Sequence, residues 1–224
     1  MRPCYRALAS LTGLGLLILD VRNEGLLARA DQRILESVAR QPRPPAVVRA
    51  ARIVTSLGDP KVARLLGPGL AALAVARPVG TVRPDGTVRP DGPLGAASSV
   101  GAALRTTADI VIGASACKVA SAVIARPRPP ARYWLANPVG HSFPSRHTTY
   151  ATLALGAGTR GYPRPARQAA AALCLAVGVS RVYLGVHWST DVAAGWLLAA
   201  SCLSAAEIME MPGRRPHRGL ASKT

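Results

Sequence analysis

The sequence predicts an all-α protein, a polytopic membrane bundle of about six transmembrane helices. Three observations predict this class. Of the 224 residues 49% are hydrophobic, these residues are concentrated in six apolar runs, and the arginines lie mainly between the runs. Only 4% of the residues are aromatic, so Ala, Leu and Val must supply most of the buried surface, which suits closely packed helices. The length suits a single domain.

Six apolar runs are the predicted transmembrane helices. They are Ala7 to Leu19, Leu65 to Ala76, Ile110 to Ala125, Thr148 to Gly158, Ala169 to Val186 and Val192 to Ala206. A bilayer core needs roughly 20 helical residues, so each run must include flanking residues or tilt. The first run is the weakest, because Arg2 and Arg6 before it are also typical of a cleaved signal peptide. The charged residues between positions 20 and 24 favour a transmembrane helix instead.

The chain divides into an N-terminal apolar segment (1–30), a membrane domain (31–206) and a basic tail (207–224). Within the domain, Asp31 to Leu57 carries apolar residues at helical spacing with arginines between them. This pattern is typical of an amphipathic helix at a membrane surface or, equally, of a solvated helix pair. Residues 78–93 contain Thr-Val-Arg-Pro-Asp-Gly twice, with Pro and Gly placed as in type I turns, which predicts a loop insertion.

The charge of the chain restricts its partners. Lys and Arg outnumber Asp and Glu by 28 to 11, for a net charge of +17, which by itself suits nucleic acid, anionic lipid or a phosphorylated substrate. Because the arginines cluster between apolar runs, the pattern is that of a membrane protein with basic loops, and nucleic acid is not a predicted partner. The four cysteines show no Cys-x-x-Cys spacing, and the acids form no Mg²⁺-binding cluster, so no metal or cofactor is predicted.

The run from Ser180 to Asp191 carries the first candidate site residues. His187 and Asp191 are four residues apart, which predicts that they share one face of a helix. The carboxylate would then accept the proton of one imidazole nitrogen and leave the other free to attack phosphorus. Arg181 offers a planar fork of donors to phosphoryl oxygens. A purely structural His–Asp pair is the alternative.

Two further motifs border apolar runs. Ser145 stands where it would cap the helix of the fourth run, whose free amides form an anion site, and His147 follows as a candidate proton donor. Arg126 and Arg128 alternate with prolines that end the third run, and they either bind phosphate or extend to the membrane interface. If each run crosses the membrane once, all three motifs lie at the same face.

These residues resemble the motifs of the type 2 phosphatidic acid phosphatases, which share a helical fold with vanadium haloperoxidases. The resemblance covers roughly Asp31 to Ala206, and the family pattern Ser-Arg-x5-His-x3-Asp matches at every position. It implies that His187 forms a phosphohistidine, that Asp191 orients it and that Arg181 holds phosphate. It also implies that His147 is the general acid.

Two positions depart from the family motifs. Arg146 occupies the glycine position of Pro-Ser-Gly-His, where glycine lets the backbone approach phosphate closely. We therefore expect Arg146 to contact phosphate or narrow the pocket, and so to affect substrate preference. In Lys-x6-Arg-Pro, counted back from Arg128, Ser121 replaces the lysine. Lys118 lies one turn earlier and is a weaker candidate phosphate contact, because helical side chains lean toward the helix N-terminus, which points it away from the site.

The predicted function is hydrolysis of the phosphomonoester or diphosphate of a lipid, in a multi-pass protein of the cell membrane. The family arrangement and the distribution of arginines favour an active site on the extracytoplasmic face. Phosphatidic acid, phosphatidylglycerol phosphate and polyprenyl phosphates or diphosphates all fit the same residues. Alternatives are a lipid phosphotransferase, a non-catalytic lipid-binding member of the fold, and a haloperoxidase, against which the membrane segments weigh. The bias toward Ala, Arg, Gly and Pro suggests a G+C-rich bacterial genome.

Overall fold

The computed structural model describes residues 3–76, 80–82, 88–90 and 96–211. These residues form eight α-helices, a short antiparallel hairpin and a single 3-10 turn at Ala131–Tyr133. The helices are α1 Pro3–Arg22, α2 Leu26–Arg40, α3 Pro45–Ser56, α4 Pro60–Ala76, α5 Ala96–Ile124, α6 Arg146–Gly158, α7 Arg164–Tyr183 and α8 Ser189–Met209. The hairpin pairs β1 Gly80–Val82 with β2 Val88–Pro90. The predicted all-α class is confirmed.

Each of the six predicted runs lies in a helix. Two of the runs extend past the ends of their helices, at Ala125 after α5 and at Val186 after α7. Among the described residues three helices are long and apolar enough to cross a membrane, namely α1, Ser98–Ile124 of α5, and α8. The helix α6 has only 13 residues, but it packs against α4, α5, α7 and α8 and is therefore surrounded by protein. The number of membrane crossings stays a prediction.

The core around α6 is built mainly from small side chains. Ile110 of α5 packs there against Leu153 and Ala154 of α6. A Cβ added to Gly67 of α4 would lie 3.1 Å from the Cα of Ala154, so glycine is what allows these two helices to approach so closely. Phe143, the single phenylalanine, is fully buried in a second cluster with residues of α1 and α8. Close helix packing therefore replaces the large aromatic core of many soluble proteins.

Apolar side chains cover the outer faces of two of the long helices. On α1 the exposed residues are Leu8, Leu11, Leu16 and Leu19. On α5 they are Leu104, Val111, Ile112, Val119 and Val123. Apolar rows of this length on the outside of a helix bundle match the hydrocarbon of a bilayer.

The structure describes one of the two remaining segments completely and the other in part. The segment Asp31 to Leu57 belongs to two helices, α2 and α3, because the chain between them contains two prolines, which interrupt a helix. A helix pair was one of the two predicted alternatives, while its location at a membrane surface stays a prediction. The repeated segment is not wholly a loop, since Thr81 pairs with Arg89 in the hairpin. The turns predicted at residues 83–86 and 89–92 fall largely outside the described residues.

Candidate active site

A tight turn places His187 between two helices. The helix α7 ends before Gly185, whose φ is +70°, and an added Cβ there would overlap the carbonyl oxygen of Tyr133. Only glycine fits such a position without strain. His187 therefore precedes α8, which begins at Ser189, and Asp191 lies in the first turn of that helix. The prediction that His187 and Asp191 share one helix face is wrong, because the turn folds the histidine back toward the carboxylate instead.

His187 is 1% exposed and has a different partner at each ring nitrogen. Its Nδ1 lies 3.4 Å from Oδ2 of Asp191, at an angle that does not make a hydrogen bond. Its Nε2 lies 3.1 Å from Nη1 of Arg128. Because a guanidinium only donates, Nε2 carries the lone pair and the ring proton belongs on Nδ1. Catalytic hydrogen bonds are often long without substrate, so this geometry suits a nucleophile that attacks through Nε2.

Two carboxylates and one arginine lie behind His187. Oδ2 of Asp191 accepts the backbone N–H of Trp188 at 2.9 Å, and Oδ1 accepts Nη1 of Arg126 at 2.7 Å. The other amino group of Arg126 donates to Asp31 of α2 at 2.8 Å. Arg126 was predicted as a phosphate contact, but the structure places it in this buried network and not among the residues that line the cavity in front of His187.

Arg128 joins the loop before α6 to the turn that carries His187. Four of its contacts are with backbone carbonyl oxygens, at distances of 2.6 to 3.0 Å. These acceptors belong to Val139, Gly140, His141 and Val186. With the contact to His187, all five N–H donors of the guanidinium are engaged, so only the donor at His187 can move to a phosphoryl oxygen without loss of a backbone contact. Burial lowers the pKa of Arg128 below that of an exposed arginine, and the group nevertheless stays charged.

A cavity of about 490 Å³ opens in front of His187 and has a strongly basic lining. Its charged and histidine side chains are Asp59, Lys61, Arg64, Arg128, Arg146, His147, Arg181 and His187. Five of these were predicted site residues, so the structure brings together Arg128, Arg146, His147, Arg181 and His187. One carboxylate against five cations makes the cavity suited to an anionic ligand.

Arg181 presents one buried donor to the cavity in addition to a contact with α3. Its side chain is 5% exposed, and Nη1 donates to the hydroxyl of Thr55 of α3 at 3.1 Å. Its Nε is buried without a hydrogen-bond partner among the residues that the structure describes. Since an unmade hydrogen bond of a buried charged group costs free energy, a ligand oxygen at Nε would stabilise this arrangement.

The beginning of α6 lies at the edge of the same cavity. Ser145 occupies the predicted N-cap position, but its side chain makes no cap hydrogen bond and instead accepts the hydroxyl of Thr148 at 2.9 Å. The hydroxyl is fully buried and Ser145 is not among the cavity-lining residues. His147, in the first turn of the helix, does line the cavity, where the positive end of the helix dipole favours an anion.

Lys118 lies beside the site rather than in it. It lines a neighbouring cavity of about 310 Å³ together with Ser121. This cavity shares Arg128, Val139 and Arg146 with the cavity of His187. Lys118 therefore does not line the cavity that contains His187.

Sequence reasoning missed Lys61 and Arg64, which reach the cavity from the beginning of α4. The turn before α4 packs tightly, because a Cβ added to Gly58 would overlap the carbonyl oxygen of His147. That approach holds the first turns of α4 against the site. The available signal was a lysine and an arginine three residues apart, hence on one helix face, in the first turns of an otherwise apolar helix.

The electrostatics keep His187 neutral. Burial, together with the positive charges of Arg128 and Arg181, lowers the pKa of His187 to about 4, although the contact with Asp191 opposes this shift. Because only neutral imidazole is nucleophilic, the histidine stays in its reactive form at neutral pH.

Comparison with known proteins identifies the family. A sequence model of the PAP2 superfamily matches residues 26–210. The chain belongs to the PAP2 superfamily. Its fold is similar to that of a transmembrane PAP2 type phosphatidylglycerolphosphate phosphatase from Bacillus subtilis, with a TM-score of 0.69 and 21% identity over 94% of this chain and 100% of that one. No curated protein sequence matches the chain significantly.

Family and fold together support a general function for this PAP2 protein. The apolar helices and the fold of a transmembrane relative support a membrane protein, and the PAP2 match supports phosphatase activity toward lipids. The predicted family is therefore confirmed. Within the described part of the chain, no three His, Cys, Asp or Glu side chains form a group that could hold a metal ion.

Proposed function

We propose that this PAP2 protein hydrolyses the phosphomonoester or diphosphate of a lipid, with His187 as the nucleophile, at the extracytoplasmic surface of the cell membrane. The observation that carries the proposal is the position of His187 between Asp191 and a cation-lined cavity. Its Nδ1 lies 3.4 Å from the carboxylate, and its Nε2 lies 3.1 Å from the guanidinium of Arg128. A phosphoryl group bound at that guanidinium would lie next to the attacking lone pair.

The reaction proceeds in two displacements. In the first, the Nε2 lone pair of His187 attacks phosphorus, the bond from phosphorus to the lipid oxygen breaks, and protonated His147 gives its proton to the departing alkoxide. Burial and the charge of Arg181 lower the pKa of His147 to about 3 in the absence of substrate. A bound phosphate dianion opposes this shift, so His147 takes up that proton as the substrate binds. In the second, His147 takes a proton from water, the water oxygen attacks the phosphohistidine, and His187 leaves with its lone pair. Asp191 stabilises the imidazolium character of the intermediate, while Arg128 and Arg181 stabilise the equatorial oxygens.

The charge of the cavity supports a substrate with at least one phosphate dianion. Lys61, Arg64 and Arg146 add positive charge beyond the two arginines nearest His187, so a diphosphate or a second phosphate can also be accommodated. The Bacillus subtilis relative is a phosphatidylglycerolphosphate phosphatase. Phosphatidic acid, phosphatidylglycerol phosphate and polyprenyl phosphates or diphosphates are therefore the substrates to test here.

The test measures phosphate release from each of these lipids by the purified protein in detergent. We expect turnover of at least one lipid and inhibition by vanadate, which mimics five-coordinate phosphorus. We expect His187→Ala to reduce release to background with the protein still folded. His217→Ala, in the tail beyond the described residues, is the matched histidine control. Phosphate release that persists in His187→Ala contradicts the phosphohistidine mechanism.

Two outcomes of the same experiment would change the proposal. If an added alcohol becomes phosphorylated at the expense of phosphate release, the protein is a phosphotransferase. If the wild-type protein binds the lipids but turns over none of them, it is a non-catalytic lipid-binding member of the family. Mass spectrometry of the lipid products distinguishes these outcomes.

A further inference from the structure

Asp31 of α2 lies in the buried network behind His187, although it belongs to none of the motifs. The side chain is 1% exposed. One carboxylate oxygen accepts the hydroxyl of Ser189 at 2.5 Å and the backbone N–H of Thr190 at 3.0 Å. The other accepts the hydroxyl of Thr190 and Nη2 of Arg126 at 2.8 Å. A carboxylate from a distant helix thus caps the N-terminus of α8, the helix that carries Asp191.

Arg126 connects this carboxylate to the one that faces His187. Its two amino groups donate to Asp31 and Asp191, and Nη1 also donates to the hydroxyl of Thr190 at 2.7 Å. The guanidinium lies over the ring of Trp188, 5.4 Å from the centroid. It is therefore fixed by two carboxylates, a hydroxyl and an aromatic ring at the same time.

This arrangement restricts the rotation of the Asp191 carboxylate. Because Arg126 holds Oδ1, the remaining oxygen Oδ2 accepts the N–H of Trp188 and lies 3.4 Å from Nδ1 of His187. Without Asp31, one amino group of the guanidinium would lose its carboxylate partner, and Arg126 would no longer be pinned from both sides. Asp191 could then turn with it, and the contact of Nε2 with Arg128 would alone favour a proton on Nδ1 of His187.

We propose that Asp31 and Arg126 are positioning residues, which hold Asp191 so that His187 attacks through Nε2. The inference rests on the proposed function, in which His187 is the nucleophile. It assigns Arg126 to the support of the nucleophile and leaves phosphate binding to the cations of the cavity. Two buried carboxylates are costly unless they are paired and hydrogen-bonded. Here Arg126 pairs with both, and Trp188, Ser189 and Thr190 supply the other hydrogen bonds.

The main test compares Asp31→Asn with a matched variant at another buried ion pair. Asp109 of α5 pairs with Arg160 at 2.7 Å and lies outside the cavity of His187. We expect Asp31→Asn to lower kcat about tenfold to a hundredfold with KM nearly unchanged, as is typical for groups that orient a catalytic residue. We expect Asp109→Asn to leave kcat unchanged. Thermal unfolding in detergent shows how much each variant loses in stability.

Two additional variants keep the inference testable if Asp31→Asn does not fold. Thr190→Val removes the hydroxyl shared by Asp31 and Arg126 while preserving shape, and we expect a threefold to tenfold lower kcat, about the effect of one hydrogen bond. Arg126→Lys keeps the charge but cannot bridge both carboxylates. If Asp31 acts through Arg126, Asp31→Asn lowers kcat by a smaller factor in the Arg126→Lys variant than in the wild-type protein.

A spectroscopic measurement separates this inference from the proposed function. Nitrogen NMR of histidine-labelled protein reports which ring nitrogen of His187 carries the proton, and His187→Ala assigns the signal. We expect a proton on Nδ1 in the wild type and a mixture of tautomers in Asp31→Asn, with or without turnover. An unchanged tautomer together with an unchanged kcat overturns the positioning role, even if His187 is the nucleophile. A higher KM at constant kcat also overturns it.

Discussion

The two sides of His187 differ in how their charges are paired. Behind the histidine, Asp31 and Asp191 share the guanidinium of Arg126 at 2.7 to 2.8 Å. In front of it, none of the lysine and arginine side chains that line the cavity forms an ion pair within the described part of the chain. These are Lys61, Arg64, Arg128, Arg146 and Arg181. Pairing makes the rear rigid, whereas the unpaired cations in front are available to an anion.

This difference has a physical reason. Desolvated charges persist in a protein only when their partners offset the cost of burial, and behind His187 the partners are part of the chain. In front of it, mutually repelling cations raise the free energy of the empty site, and an anionic substrate lowers it again. Variants behind His187 should therefore affect kcat, while variants in front should affect substrate binding as well.

The largest effect that we expect comes from Asp191→Asn, which breaks the pairing behind the nucleophile. An amide cannot stabilise the imidazolium character of the intermediate, and it no longer enforces one tautomer. By analogy with the aspartate of a serine protease triad, kcat should fall about a thousandfold or more. Single-turnover measurements of phosphohistidine formation check this, with Asp109→Asn as the control. A loss below about tenfold would show that the pairing is not needed for attack.

A smaller effect is expected from Arg181→Lys, which keeps the charge in front of His187 but removes the planar fork of donors. One or two charge-assisted hydrogen bonds to phosphate are lost, so kcat/KM should fall about tenfold to a hundredfold. The inhibition constant for vanadate should rise in parallel. Arg160→Lys, at the ion pair with Asp109, is the control and should leave both values unchanged. If kcat/KM and the vanadate inhibition constant were the same in Arg181→Lys and Arg160→Lys, Arg181 would not contact the phosphoryl group.

Lys61→Gln should have a still smaller effect, because this side chain is exposed at the edge of the cavity. Exposed charges contribute little and are screened by salt. We expect KM to rise about twofold to fivefold at low ionic strength, with kcat unchanged, and the difference to shrink at high salt. Arg164→Gln, at the first residue of α7, is the control for a general effect of lost surface charge. A change in kcat would place Lys61 closer to the reaction than the structure does.

The smallest loss of activity is expected on mild acidification. Burial lowers the pKa of His187 from its ordinary value of 6.5 to about 4, so the imidazole stays neutral until the pH approaches 4. Its neighbours are Arg128, Arg181, His147 and Asp191, of which Asp191 alone favours protonation of His187. Corrected for the fraction of substrate dianion, kcat/KM should not fall between pH 7 and 5, because His187 keeps its nucleophilic form in this range. An acid limb with a midpoint near 6.5 would contradict this shift.

The sequence alone predicted a large part of the fold. All six apolar runs lie in helices, because local hydrophobicity and breakers such as the prolines after Arg126 and Arg128 decide where helices form. The ends of α5 and α7 were misjudged, and α7 shows the reason. The run through Val186 is apolar to its end, but Gly185 turns the chain against Tyr133, and that contact is not encoded in local composition.

The candidate site was predicted in its chemistry more than in its arrangement. His147, Arg181 and His187 line one cavity as expected from their motifs. Arg126 has the same side chain as Arg128 two residues later, yet the one pairs with carboxylates and the other meets His187. Asp31 was missed. The available signal was its position four residues before Leu35, which places an acid on the apolar face of α2. In the structure both residues are 1% exposed.

By itself, the sequence determined which segments are helical and which residue types are available for chemistry, because both depend on neighbours along the chain. The tertiary structure decided which side of His187 each charge occupies. Asp31 and Thr190 are separated by 159 residues, and only the packing of α2 against α8 brings them into contact. No local pattern shows whether an arginine in this protein will meet a buried carboxylate or an open cavity, because that choice depends on contacts between distant helices.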